Sequence, residues 1–240
     1  MIPENFFGTH YSGFLSAISA KRATKNYLEI GVDQGENLAL INCERAIAID
    51  PAFRLNQNIT QFKNKVDLFQ ETSDNFFASY RDRFGENFKL DMSFLDGMHL
   101  FEFIVRDFMN TEMNCKANSV IFMHDCLPLN SRMAQRTATK GSDDEIFKDY
   151  WTGDVWKIIP ILKKFRPELK LTIIDCPPTG LVAVSNLKPD NKVLSDNYFS
   201  IVSEFGEMEN SEKNISDFYE TFNIDSSQKI LNGFDHSLYI

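Results

Sequence analysis

Seven short apolar segments alternate with helical patterns along most of this 240-residue chain. Each segment has the length and the β-branched or aromatic content of a buried strand. The segments are YLEIG at 27–31, RAIAID at 45–50, KVDLFQ at 65–70, LDMSFLD at 90–96, SVIFMH at 119–124, KLTIID at 170–175 and GLVAVSN at 180–186. The clearest helical patterns between them lie at 99–110 and 154–165. This alternation predicts an α/β fold, in which helices cover both faces of a seven-stranded, mostly parallel sheet.

The connections between these segments narrow the topology further. Only CPPT at 176–179 separates the last two strands, which is too short for a parallel crossover, so we expect the last strand to be antiparallel. The polar connection at 126–153 has a length that is typical of either a functional lid or a disordered segment. We therefore predict a domain over residues 1–186, with a packing helix at 10–20 and a lid-like insertion at 126–153, followed by an acidic C-terminal extension at 187–240.

Composition excludes several classes of partner. The formal net charge is −9 and Lys and Arg form no extended cluster, so nucleic acid is not an expected substrate. The sequence shows neither a signal-peptide pattern nor a long apolar run, which predicts no membrane partner and a cytoplasmic location. The cysteines form no CxxC pair, which favours reduced, structural thiols. The 22 phenylalanines leave room for an apolar homodimer interface.

The first strand runs into a glycine turn, EIGVDQGEN, which is typical of nucleotide-like ligands. A dinucleotide fingerprint, G-x-G-x-x-G, needs a glycine where this turn has Asp33, and a carboxylate there would repel a pyrophosphate. A Rossmann-type NAD(P) oxidoreductase is therefore the less favoured alternative. The turn suits a ligand that has an adenosine and a cationic end without phosphate.

Individual residues of the first two strands fit such a ligand. Glu29 ends the first strand, where it can face an ammonium or sulfonium group, and Asp50 ends the second, where it can accept hydrogen bonds from both ribose hydroxyls. Gly31, Gly35 and Asn37 of the turn complete the candidate cofactor-binding set. The simpler alternative is that the glycines only form a turn and that Asp50 only caps a strand.

Four segments resemble the class I S-adenosylmethionine-dependent methyltransferases. They are EIGVDQGEN, AIAIDP at 46–51, SFLDGMHLFEFIVRDF at 93–108 and VIFMHDCLP at 120–128. The resemblance spans roughly residues 25–186 and is closer to the small-molecule and sugar O-methyltransferases whose fourth strand ends in D-G-x-H. It implies a Rossmann-like class I methyltransferase fold, S-adenosylmethionine as cofactor, and methyl transfer to a hydroxyl of a sugar or natural-product precursor. A non-catalytic relative with the same fold remains an alternative.

A second cluster lies at the ends of the fourth and fifth strands. Asp96, His124 and Asp125 are ligand types for a divalent cation such as Mg²⁺, Mn²⁺ or Fe²⁺. The resemblance implies that these three residues are metal ligands and that Asp96 also lies beside the cofactor. It further implies that His99 is the general base. This chain departs from the family at His124, which stands where the relatives have a carboxylate, and imidazole is a poor Mg²⁺ ligand. Alternatively, His99 caps a helix and His124 is a buried histidine bonded to a backbone carbonyl.

Weaker signals concern the adenine and the methyl acceptor. Ser73 follows the third strand where the resembling enzymes contact adenine, although it also suits a helix N-cap. Trp156 could line a sugar or aromatic pocket, with Asp154 and Lys157 as polar contacts, although a core tryptophan at a helix start is an equal alternative. These three residues are the candidate substrate contacts.

Overall fold

The computed structural model describes residues 1–138 and 150–233. Its single sheet has seven strands in the order β3-β2-β1-β4-β5-β7-β6. The strands are β1 (Asn26–Ile30), β2 (Arg45–Ile49), β3 (Lys65–Phe69), β4 (Leu90–Leu95), β5 (Cys115–His124), β6 (Lys170–Ile174) and β7 (Leu181–Ser185). Strand β7 is antiparallel to both of its neighbours, and the remaining pairs are parallel. The predicted sheet, including its antiparallel last strand, is confirmed.

Helices pack on both faces of the sheet, as expected from strands that are apolar on both sides. They are α1 (Tyr11–Lys21), α2 (Glu36–Leu40), α3 (Ser73–Ala78), α4 (Tyr80–Phe84), α5 (Phe101–Met113), a 3-10 turn (Val155–Lys157), α6 (Ile158–Phe165), α7 (Val193–Asp196), α8 (Tyr198–Gly206), α9 (Glu212–Thr221) and α10 (Ser227–Asn232). Leu28 and Ile30 of β1 join the core beneath α5 and α6, whereas Tyr27 joins the core beneath α1 and α10. No helix among the described residues is long and apolar enough to cross a membrane.

The segment expected to be a C-terminal extension is packed into the fold. Ile201, Phe205, Ile215 and Phe218 are buried in the same core as α5 and α6. Asp225 also exchanges backbone hydrogen bonds with the β6 end of the sheet, at 2.7 Å to the Ile173 carbonyl and 3.0 Å from the Asp175 amide. Weak helical patterns in an acidic sequence concealed this layer, and residues 234–240 of the predicted extension lie outside the described residues.

The described part of the predicted lid also belongs to the core. Leu127, Leu129 and Met133 are buried, and Leu127 donates a backbone hydrogen bond to Thr179 beside β7. Residues 139–149 of the lid-like insertion predicted at 126–153 lie outside the described residues. The four cysteines are buried and free, in agreement with reduced, structural thiols.

One buried acid joins α3 to α5. Asp107 is 3% exposed and accepts a hydrogen bond from Ser73 Oγ at 2.5 Å. Burial raises the pKa of the Asp107 carboxyl to about 7, and the Ser73 hydrogen bond offsets only part of this effect. The folded protein therefore holds a proton on Asp107 that the unfolded chain releases at lower pH.

This difference predicts a pH-dependent loss of stability. Because the pKa of Asp107 is higher in the folded state, its contribution falls as pH rises from about 4 to about 7 and is constant above that. Between about pH 5 and about pH 8, the free energy of unfolding of the native protein should fall by roughly 3 kcal/mol more than that of Asp107→Asn. Chemical denaturation of both proteins at the two pH values measures the difference, and parallel pH profiles would contradict it.

Candidate functional site

The glycine turn after β1 brings two strand ends into contact. Gly31 has φ +82°, and a Cβ there would lie 1.9 Å from the Asp96 carbonyl oxygen at the end of β4. Any side chain would therefore force β1 and β4 apart at this point. The contact places the turn, Asp96 and the first residues after β4 around a common depression at the carboxyl edge of the sheet.

This depression has two parts that share Gly31, Asp33 and Asp96. The larger cavity, of about 810 Å³, lies over the ends of β2 and β3, and the smaller, of about 130 Å³, lies beneath α1. Carboxyl ends of parallel strands are the usual ligand site of such sheets. The larger cavity is lined among others by Ile49, Asp50, Phe53, Ser73, Gly97, Met98 and Phe103, and the smaller by Tyr11, Glu29, Asn37 and Phe94.

Asp50 lies in the larger cavity, as the sequence predicted. Its two carboxylate oxygens accept backbone hydrogen bonds from Asp33 (2.8 Å) and Ala52 (2.7 Å), which fix the orientation of the side chain. Each oxygen has a second lone pair available for a ligand hydroxyl. Ser73 lines the same cavity at the start of α3, although Thr72 rather than Ser73 is the N-cap of that helix.

The turn residue Asp33 carries less uncompensated charge than the sequence suggested. Arg54 forms a two-pronged ion pair with its carboxylate, at 2.5 and 2.8 Å. Repulsion of a pyrophosphate by Asp33 is therefore weaker than expected. The pair is exposed to solvent, so its contribution to stability is small.

Glu29 and Asn37 form a polar group at the smaller cavity. Glu29 is buried, and its Oε2 accepts hydrogen bonds from Tyr27 (2.6 Å) and from Asn37 Nδ2 (2.7 Å). Burial raises the pKa of Glu29 to about 7, against the opposing effect of these two hydrogen bonds. Oδ1 of Asn37 has no hydrogen-bond partner among the described residues. The residues that line the smaller cavity thus present hydrogen-bond acceptors to a positively charged group of a ligand, and none of these lining residues is Lys or Arg.

Asp96, His124 and Asp125 converge at the ends of β4 and β5. One potential ligand atom from each lies within 4.8 Å of the others. Nδ1 of His124 is 3.3 Å from Asp96 and 3.5 Å from Asp125, yet neither of its ring nitrogens has a hydrogen-bond partner within 1–138 and 150–233. Two carboxylates and an unpaired imidazole are a donor set that fits a divalent cation.

His99 lies beside this cluster, held by contacts on both ring nitrogens. Nδ1 is 2.6 Å from the carbonyl oxygen of Trp151, and Nε2 is 3.2 Å from Asp125 and 3.5 Å from Asp96. A carbonyl only accepts, so Nδ1 carries a proton and Nε2 faces the carboxylates. Burial alone would lower the pKa of His99, but Asp125 and Asp96 outweigh it and raise the pKa to about 10.

The predicted substrate contacts lie elsewhere. Asp154, Trp156 and Lys157 are at most 2% exposed and line neither of the two cavities. Asp154 accepts hydrogen bonds from the Phe101 amide (3.0 Å), Arg136 (2.7 Å) and Lys157 (3.2 Å). Asp154 therefore anchors the start of α5 from within, whereas Trp156 donates a hydrogen bond to Asn210 Oδ1 (3.0 Å) and is a buried tryptophan, as the core alternative had it. Their burial does not suit contact with a substrate.

Two residues of the site carried no motif in the sequence. Tyr11, from the first turn of α1, lines the smaller cavity, and its ring lies 4.1 Å from that of His124. The Trp151 ring stacks on that of His99 with centroids 5.1 Å apart, and the Trp151 carbonyl oxygen accepts a hydrogen bond from Nδ1 of His99. Both are distant in sequence from the strand ends that they complete, so only the folded chain reveals them.

Known proteins share this architecture. Residues 11–126 match the model of a family described as "Methyltransferase domain". A search of curated proteins finds no match.

Similar solved structures include an O-methyltransferase from Bacillus cereus in complex with SAH, at 13% identity and TM-score 0.51, over 78% of this chain and 84% of that one. The O-methyltransferase TomG from Streptomyces achromogenes, in complex with SAM, matches at 15% identity and TM-score 0.52, over 72% and 78%. At these identities the likeness shows the fold. With the match to a methyltransferase domain and the strand order, it shows that the chain has the class I methyltransferase fold.

Proposed function

We propose that this protein transfers a methyl group from S-adenosylmethionine to a hydroxyl oxygen of a small molecule, such as a sugar or a natural-product precursor, with the assistance of a divalent cation. The observation that carries the proposal is the double role of Asp96. It lines both cavities that suit the cofactor and lies 3.5 Å from Nε2 of His99. Cofactor and proton acceptor would thus be neighbours.

The cofactor would lie along the strand ends with its charge at the smaller cavity. Asp50 would accept hydrogen bonds from the ribose hydroxyls, and Ser73 would lie near the adenine. Glu29 and Asn37 would face the positively charged methionine end. Bound S-adenosylmethionine supplies a methyl group on a positively charged sulfur, and in-line placement of the attacking oxygen provides much of the rate enhancement.

His99 would remove the hydroxyl proton from the methyl acceptor. The Trp151 carbonyl holds the Nδ1 proton, which leaves Nε2 as the atom that accepts a proton when the imidazole is neutral. Asp96, His124 and Asp125 would hold a divalent cation, whose charge lowers the pKa of a nearby hydroxyl. The acceptor hydroxyl would approach Nε2 on the side of Asp96 and Asp125, which lie 3.5 and 3.2 Å from that nitrogen and where the cation would be held.

One prediction of this proposal concerns cofactor binding. Asp50→Ala should weaken binding of S-adenosylhomocysteine by about 100-fold or more, because each hydrogen bond to a charged acceptor contributes about 1.5–3 kcal/mol. Calorimetric titration measures the change, with circular dichroism to confirm folding. Asp217→Ala, which removes an exposed carboxylate of α9, serves as the control. Unchanged affinity in Asp50→Ala would remove Asp50 from the ribose role, and failure of the native protein to bind would favour a non-catalytic role for the fold.

Another prediction of this proposal separates binding from proton transfer. His99→Ala should bind S-adenosylhomocysteine like the native protein and transfer the methyl group about 10²–10⁴-fold more slowly, the usual contribution of a general base. Formation of S-adenosylhomocysteine with an acceptor found by screening hydroxylated compounds gives the rate. Added imidazole should restore part of the activity only in the variant. Full turnover in His99→Ala would rule out the base role.

A further inference from the structure

His124 is a buried imidazole with unsatisfied nitrogens. It is 7% exposed, and neither Nδ1 nor Nε2 has a hydrogen-bond partner among the described residues. The carboxylate contacts of Nδ1, at 3.3 Å to Asp96 and 3.5 Å to Asp125, are close enough for charge attraction but lack hydrogen-bond geometry. An unpaired buried polar group is costly, so its retention calls for an explanation such as a bound ion.

The surroundings of His124 fix the direction in which the ring points. Tyr11 packs against it at 4.1 Å between ring centroids and Phe94 at 5.9 Å. On the carboxylate side, Thr179 donates a hydrogen bond to Oδ1 of Asp125 and thereby orients that group. Partners of this kind, outside the ligands themselves, are what hold metal ligands in position.

We propose that this site selects a first-row transition ion, such as Mn²⁺ or Fe²⁺, over Mg²⁺, and that His124 is the ligand responsible. This inference rests on the proposed function, which places a divalent cation beside the methyl acceptor. Its basis is the donor set. Two carboxylates alone suit hard ions, whereas an imidazole favours ions later in the first transition row and is a poor partner for Mg²⁺.

The distances are compatible with shared coordination. Ligand atoms that surround one ion at about 2.0–2.2 Å lie about 3 Å apart when adjacent and about 4 Å apart when opposite. The nitrogen and oxygen atoms of the cluster are separated by no more than 4.8 Å, and the two contacts of Nδ1 are at 3.3 and 3.5 Å. Small side-chain rotations therefore suffice to close the site around an ion.

The test uses Mn²⁺ and Mg²⁺ as probes on the full chain. Electron paramagnetic resonance titration gives the Mn²⁺ affinity, and competition with Mg²⁺ gives the preference, expected on the order of tenfold or more for Mn²⁺. Pulsed measurement on the Mn²⁺ complex should detect a coordinated ¹⁴N. Neither result depends on turnover or on knowledge of the methyl acceptor.

A substitution identifies the nitrogen. His124→Asp makes the donor set all-oxygen, so the Mn²⁺ preference should shrink toward equality and the ¹⁴N signal should disappear. Asp217→Ala is the control, because it removes an exposed carboxylate of α9 that is paired with Lys213. It should leave both results unchanged.

Three outcomes would overturn the inference: equal Mn²⁺ and Mg²⁺ affinity in the native protein, no saturable metal binding, or a ¹⁴N signal that persists in His124→Asp, which would point to His99. The first two need no variant and so do not depend on its folding. S-adenosylhomocysteine titration of the same samples separates this inference from the proposed function. Cofactor binding without metal preference would remove only the metal selectivity, whereas Mn²⁺ binding through His124 without cofactor binding would remove the methyl transfer.

Discussion

The close approach of Gly31 to Asp96 is the constraint on which the site depends. Hydrogen bonds of the parallel pair β1 and β4 bring the two strands into register, and the missing side chain of Gly31 lets them stay in contact past their last paired residues. Consequently, Asp96, the first residue after β4, contacts the glycine turn that lines both cavities. A larger residue at position 31 would push Asp96 away from the turn, and with it a carboxylate that lies beside His99.

Charge distribution couples the parts of this site to one another. Burial opposes the charge of Asp96, but His124 and His99 lower its pKa, and the same contacts raise the pKa of both imidazoles against the effect of burial. A positive charge placed between Asp96 and Asp125 would compete with the proton that these carboxylates favour on His99. A cation bound by this cluster would therefore influence the protonation of the proposed base, through Coulomb interaction at short range in a partly desolvated setting.

The sequence predicted those features that depend on local interactions and missed those that depend on contacts between distant segments. Local patterns predicted the strands, their directions and the residues at their ends. Glu29, Asp50, Asp96 and His99 accordingly lie at the carboxyl edge of the sheet, whereas the roles predicted for them stay predictions. The burial of Asp154 did not follow, because its partners at Phe101 and Arg136 come from separate segments. A charged residue beside a tryptophan resembles a binding surface until tertiary contacts are known.

The N-terminal helix shows why local pattern is insufficient near the site. Phe14, Leu15 and Ile18 of α1 are buried and account for its apolar face, and Tyr11 reads as one more residue of that face. In the fold, however, Tyr11 lies one turn before the core contacts and covers His124 and the smaller cavity at once. Docking of α1 therefore sets both the boundary of the proposed methionine pocket and the orientation of the imidazole. A shift of this helix would change the two together, so the apolar contacts of α1 bear on the chemistry although none of them touches it.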